Sequence, residues 1–207
     1  MDTDWGHWQP RIASVPAAGF GLMRDEQGRH IFCGAHDIPG AGCPNCGRPL
    51  LQMMSLDASD ERLQLAVLGV KRVPLLICWR CNVAQDVTQY RLRRDGGIEL
   101  LRFKRGTQGP DFPYAGYPVS FPEARFDLNP VPAAALKAPR HQVGGEPFVL
   151  QELRDLRCKV CRRRMRFLAC IADDATQGWT FAGNSWVQTL FHVCIDDAVI
   201  ASYHECD

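Results

Sequence analysis

Apolar and polar residues alternate along much of the chain with a period of two, which puts successive side chains on opposite faces of a strand. Gln52, Met54 and Leu56 share one such face, Leu75, Ile77 and Trp79 another, and Thr88, Tyr90 and Leu92 alternate against Gln89, Arg91 and Arg93. The next run, 98–103, follows Asp95-Gly96-Gly97. Glycines accept the positive φ of a tight turn, so these two segments are expected to pair as a β-hairpin. A second hairpin is expected where Asp25-Glu26-Gln27-Gly28 separates residues 21–24 from 29–32. Farther on, 166–171 reads as a strand through Phe167, Ala169 and Ile171, 147–153 as a short strand or turn, and 186–194 as a long buried strand. Helix is scarce, with 151–157 the best window and 132–137 a weaker one.

Between Gly106 and Pro139 stand Pro110, Pro113, Pro118, Pro122, Pro130, Pro132 and Pro139, half of the 14 prolines in the chain. Proline donates no backbone hydrogen bond, so regular structure is expected to be rare there. The interleaved Phe112, Tyr114, Tyr117, Phe121 and Phe126 point to an ordered, irregular connector packed on the domain.

The cysteines give this β texture a framework. Cys43-Pro44-Asn45-Cys46-Gly47 is answered, after 31 residues, by Cys78-Trp79-Arg80-Cys81. Cys158-Lys159-Val160-Cys161 is answered after 32 by Cys194-Ile195-Asp196-Asp197, with Asp197 in the place of the fourth cysteine. Four thiolates from two such turns make the tetrahedral cage of a structural zinc site, so Cys43, Cys46, Cys78 and Cys81 are read as one; a redox or disulfide role is the alternative. Cys158, Cys161, Cys194 and Asp197 form a second, incomplete set. Cys206, His204 or His192 could supply its fourth ligand instead, or the thiols could simply pack.

Setting Cys43 on Cys158 places Leu50 on Met165, Leu56 on Ile171 and Cys78 on Cys194 with one residue of slippage, while His36-Asp37-Ile38-Pro39-Gly40 resembles His141-Gln142-Val143-Gly144-Gly145. The expected fold is β-rich, α+β with little helix: an internally duplicated antiparallel unit with zinc knuckles, packed about a pseudo-twofold axis. Residues 1–105 form the half with the complete site, 106–140 the connector and 141–207 the half with the incomplete one.

Composition narrows the function classes. The 207 residues are 46% hydrophobic and 23% charged with a net charge of +1, which gives no global attraction to nucleic acid or an anionic membrane. No apolar run is long enough to span a bilayer, and Met1-Asp2-Thr3-Asp4-Trp5 lacks the basic opening of a signal peptide, so a cytoplasmic location is expected. Thiols stay reduced there, which favours metal ligation for the ten cysteines. No metalloprotease, nucleophile-elbow or phosphate-loop motif occurs, and the histidines are scattered, so no enzyme is expected and no catalytic residue is nominated. An isolated histidine such as His30 is read as a surface or satisfied core residue.

Charge is unevenly placed. Arg154, Arg157, Lys159, Arg162, Arg163, Arg164 and Arg166 crowd the third cysteine turn, whereas residues 167–207 contain no Lys or Arg and six acids, Asp173, Asp174, Asp196, Asp197, Glu205 and Asp207. The two stretches could neutralise one another as a solvated face. Alternatively Asp173, Asp174, Asp196, Trp179 and Trp186 could dock a basic protein, and the arginines could touch nucleic acid.

From His141-Gln142-Val143-Gly144-Gly145-Glu146-Pro147-Phe148-Val149-Leu150-Gln151 through Cys158-x2-Cys161, Met165, Phe167-Leu168 and Phe191-x2-Cys194, the chain resembles the bacterial YwqG-like family, and also the eukaryotic programmed cell death protein 2 family. The resemblance covers residues 141–195 and implies a duplicated β-rich fold without known catalytic residues. For the bacterial relatives it implies an immunity protein bound to a cognate toxin. For the eukaryotic ones it implies a chaperone for a ribosomal protein, although this chain is short and lacks their additional zinc-finger domain. The expectation is a non-enzymatic, zinc-stabilised protein-binding module, an immunity protein against a basic, nucleic-acid-directed toxin, with nucleic acid itself not the partner.

Overall fold

The computed structural model describes residues 19–78, 86–104, 120–131, 140–147, 149, 153–172 and 187–206. Eleven strands form one antiparallel sheet: β1 (Phe20–Arg24), β2 (His30–Phe32), β3 (Leu51–Asp57), β4 (Arg72–Ile77), β5 (Thr88–Leu92), β6 (Ile98–Arg102), β7 (Ala124–Pro130), β8 (Gln142–Val143), β9 (Arg166–Ala172), β10 (Val187–Cys194) and β11 (Val199–Cys206). Their spatial order is β4-β3-β2-β7-β1-β8-β9-β10-β11-β5-β6. Among the described residues there is no α-helix, only two single 3-10 turns, Glu61–Leu63 and Ala66–Leu68. The β-rich, helix-poor expectation therefore holds, and among the described residues no helix is long and apolar enough to cross a membrane.

Several local expectations are corrected. The strands on either side of Asp25-Glu26-Gln27-Gly28 exist, but they do not pair with each other. β7 lies between them, opposite β1 from Phe20↔Pro130 to Arg24↔Phe126 and opposite β2 from His30↔Phe126 to Phe32↔Ala124. Room for it depends on Gly28, where a Cβ would stand 2.4 Å from the Phe126 carbonyl group. β7 also interrupts the connector expected to be irregular. Between Pro122 and Pro130 the chain is free of proline, and Phe126 and Leu128 alternate inward against Arg125, Asp127 and Asn129. The helical window fails as well, since 153–157 is not helical. Residues 132–137 lie outside the described set. The hairpin at Asp95-Gly96-Gly97 forms as expected, joining β5 to β6 with Gly96 at φ 85°.

From the central pair β7 and β1 the sheet runs outward through β2, β3 and β4 on one side and β8, β9 and β10 on the other. The register repeats across these arms. Leu51 faces Ile77 and Met54 faces Leu75 with Met53 skipped; Arg166 faces Val193 and Ala169 faces Phe191 with Leu168 skipped. Each skip is a bulge in the same place. His30 and His141 also correspond: both are fully buried, and each Nδ1 accepts the backbone N–H that ends the long strand, from Asp57 at 3.1 Å and from Ala172 at 3.4 Å. This replaces the alignment of His36 with His141. His36 instead accepts from the Ile38 N–H through Nδ1 and donates through Nε2 to the Leu50 carbonyl at 2.6 Å, in a turn that belongs to the first arm. A His-x-x-x-Gly string matches at 30–34 as well as at 36–40, and the choice between them rests on strand register.

β5 and β6 follow β4 in sequence yet extend the far edge of the sheet, where β5 pairs with β11. The sheet curls until its ends meet. The Tyr90 hydroxyl of β5, fully buried, donates to the Pro74 carbonyl and accepts from the Leu76 N–H, both at 2.8 Å, so it pairs backbone groups on the edge of β4. Leu75, Ile77, Phe126, Phe191, Val193 and Ile200 accordingly share one core. A surface-side clamp ties the centre: Arg62 binds Asp60 and Asp127, each at 2.6 Å, donates to the Leu128 carbonyl at 3.0 Å and lies 5.7 Å over the Phe20 ring. Because Tyr90→Phe strands a buried N–H and a buried carbonyl together, it is expected to lower the unfolding free energy by about 1–3 kcal/mol in chemical denaturation, against under about 0.5 kcal/mol for a surface control.

Candidate metal centres

The cysteine turns are built from the same backbone hydrogen bonds. In the first, Cys43 N–H donates to the Arg48 carbonyl, Gly47 N–H to Cys43 and Leu50 N–H to Ala41; in the second, Cys158 donates to Arg163, Arg162 to Cys158 and Met165 to Leu156. Isolated bridges Gly42↔Pro49 and Arg157↔Arg164 close both turns. The residue after the second cysteine must adopt a left-handed conformation. Gly47 does so at φ 67° without strain, whereas Arg162 does so at φ 65°.

These turns present sulfur toward the ends of β4 and β10. Sγ atoms of Cys43, Cys46 and Cys78 lie within 4.8 Å of one another, Cys46 and Cys78 being 4.0 Å apart. Cys81 falls outside the described residues. In the second cluster Cys158, Cys161, Cys194 and Asp197 all converge within the same limit. Asp197 Oδ2 is 3.3 Å from the sulfurs of Cys158 and Cys194, and Cys161 is 3.6 Å from Cys194. None of these described cysteines forms a disulfide.

The geometry selects among the four alternatives for the last ligand. Asp197 sits in the turn between β10 and β11, immediately beyond Cys194, and Arg163 pairs there with Asp196 at 2.9 Å. Cys206 lies opposite Val187, at the other end of that hairpin, and His204 bonds Thr189 at 2.9 Å. His192 is buried between Phe167 and Tyr203, with ring centroids 5.8 and 5.7 Å away. Only Asp197 joins the thiols.

Their protonation differs. Hydrogen bonding from the Cys78 thiol, aided by the N–H groups of Cys46 and Asn45, brings the Cys43 thiol down to about 5 against the effect of burial. Burial pushes Cys158 up and Cys194 up to about 12, the neighbouring thiol and carboxylate adding to the latter. Donation from Cys161, Cys158 and Cys194 lowers the Asp197 carboxyl. A divalent cation would reverse the upward shifts, since coordinating thiols are deprotonated outright. Both clusters are chemically suited to a soft or borderline metal ion.

A third gathering of donors, His30, Asp60 and Asp127, was not visible in the sequence because its members are spread over three elements. It is a poor cation site. His30 Nε2 donates to Asp60 at 3.1 Å, and Arg62 already supplies the positive charge between the two carboxylates. Burial lowers His30, while Arg62 and His30 together outweigh burial and bring Asp60 to about 2. His30 is thus a satisfied core histidine, as expected.

The three described acids of the acidic segment are committed. Glu205 is buried against Gln188 at 2.7 Å, Asp197 faces the thiols and Asp196 pairs with Arg163. Asp173, Asp174, Trp179 and Trp186 lie outside the described residues. On the basic side, Arg157 and Arg164 both pair with Asp155, at 3.2 and 3.0 Å.

Compared with known proteins, the chain matches no family model, no curated protein and no solved structure.

Left-handed backbone costs an L-residue about 1 kcal/mol, so Arg162→Gly is expected to raise the chemical-denaturation midpoint by an amount worth up to about 1 kcal/mol. A lowered midpoint would show that the Arg162 side chain contributes more than its backbone costs.

Proposed function

We propose that the chain is a zinc-stapled binding protein with no catalysis of its own, an immunity protein that neutralises a cognate toxin by covering its functional surface. The observation that carries the stapling is the convergence of soft donors from two equivalent turns onto the ends of β4 and β10. Sulfur-rich tetrahedral sets favour zinc. Cys81 would complete the first set, and Asp197 completes the second. A site with all four positions filled by protein leaves no room for a substrate, which supports binding over chemistry. The repeated register, bulges and buried histidines support descent of the two arms from one duplicated unit, related by a pseudo-twofold axis between β7 and β1.

The choice of partner rests on the resemblance to YwqG-like proteins, and a cytoplasmic location goes with it. Asp173, Asp174, Trp179 and Trp186 are the docking residues in this reading, with Asp196 held back by Arg163. A basic, nucleic-acid-directed toxin suits such an acidic, aromatic segment.

Metal analysis of the purified protein is expected to give two zinc ions per chain. Cys78→Ser and Cys161→Ser should each remove one, and loss of the first site should unfold its arm, because zinc contributes roughly 10–16 kcal/mol in isolated finger peptides. Asp197→Cys should retain the second ion and bind it more tightly in chelator competition. Zinc-free, fully folded protein would end the stapling proposal. Co-expression with the product of the adjacent reading frame should protect the host and co-purify the pair; failure of both would leave the staple standing and remove the toxin as partner.

A further inference from the structure

Beside the second cysteine turn the sheet leaves a cavity of about 310 Å³, at the small end of the range for compact organic ligands. Three arginines border it: Arg154, Arg164 and Arg166. Its apolar wall is Met165 and Phe167, and His192 lies at its base.

Two features go beyond a collection of surface charges. His192 is 2% exposed, and its buried ring nitrogens have at most a weak contact with the Met165 backbone. A buried imidazole so weakly satisfied is costly, and here it borders the cavity. Arg166 is the second. Its guanidinium donates to the Leu63 carbonyl at 3.2 Å, no described carboxylate pairs with it, and partial burial pushes its pKa down with nothing acidic to oppose the shift. Among the described residues Arg164 is held by an exposed pair with Asp155, which is weak enough to exchange. Arg154 stands 4.6 Å over the Tyr203 ring, and that ring in turn packs on His192.

We infer that this cavity binds a small aromatic phosphate monoester, its phosphate among Arg154, Arg164 and Arg166 and its ring against Phe167 and Met165. A phosphate dianion offers three terminal oxygens and about two charges to several guanidinium forks at once, more than the two oxygens and single charge of a carboxylate. The apolar wall of Met165 and Phe167 accepts a ring. The site is independent of the metals and of the toxin partner.

Calorimetric titration of the full chain as purified, at low salt, tests it with phenyl phosphate, inorganic phosphate and benzoate. Phenyl phosphate should bind one per chain and at least about tenfold more tightly than either comparator. The Arg164→Gln/Arg166→Gln variant should lose at least about tenfold in that affinity with melting temperature and metal content unchanged, while Arg24→Gln should bind as the parent does. No saturable binding of phenyl phosphate, equal affinity for benzoate, or an undiminished affinity in the double variant would overturn the inference. So would a short 5′-phosphorylated oligonucleotide binding more tightly than phenyl phosphate, which would make the surface one for nucleic-acid ends.

Discussion

Among the described residues no helix lies on the eleven-stranded antiparallel sheet, which buries its apolar face against itself, and that arrangement governs this molecule. An open sheet of this width would leave that face in water at both ends. Curling solves the problem only if the ends are held, and the Tyr90 hydroxyl holds them by pairing with the edge of β4. The donor and acceptor it satisfies would otherwise be buried and unpaired, so closure and core formation are one event. The matching bulges at Met53 and Leu168 sharpen the local twist in both arms and help the sheet to turn.

Closure also explains where the candidate metal sites lie. Each cysteine turn sits between a short inner strand and a long outer one, and the answering cysteine ends the next strand out. Register therefore brings the sulfurs together: Leu51 opposite Ile77 sets Cys78 against the first turn, and Arg166 opposite Val193 sets Cys194 against the second. A metal ion bound at either site would cross-link a turn to the strand two places along, at points where hydrogen bonding of the ladder stops. The two sites differ in how ready they are. Cys43 is already inclined to be a thiolate, whereas the second set must lose protons to a metal, and Arg162 replaces glycine in its turn. Around the second site the charges are not idle, because Asp155, Asp196, Arg157, Arg163 and Arg164 already pair among themselves. Among the described residues no carboxylate pairs with Arg166, which borders the cavity beside His192.

Much of this was legible in the residues. Period-two alternation identifies β3 and β9, the Asp95-Gly96-Gly97 turn fixes the β5–β6 hairpin, and cysteine spacing alone selects six of the residues that meet in two clusters, with Asp197 as a seventh. These signals are local: side-chain direction, turn conformation and ligand spacing act within a few residues. β11 carried no comparable signal, since Val199, Ile200, Ala201 and Tyr203 are buried without alternation.

Tertiary structure decided the rest, and in each case the reason is distance along the chain. Whether Asp25-Glu26-Gln27-Gly28 closes a hairpin depends on β7, about a hundred residues away, competing for the same edges. Proline density argued against a strand there, but a ladder needs only the N–H groups between the prolines. His30 rather than His36 matches His141 because the register of β2 on β3, not the string of letters, places its ring under the last N–H of the long strand. The fourth member of the second cluster was likewise undetermined among Asp197, His192, His204 and Cys206 until the β10–β11 hairpin put Cys206 at its far end, turned His204 to Thr189 and enclosed His192 between two rings. The sequence by itself marked most of the strands, β7, β8 and β11 excepted, and the six cysteines that could hold a metal, because those signals come from neighbours. Only the folded sheet decided which strands meet, because pairing is a contest among all edges at once.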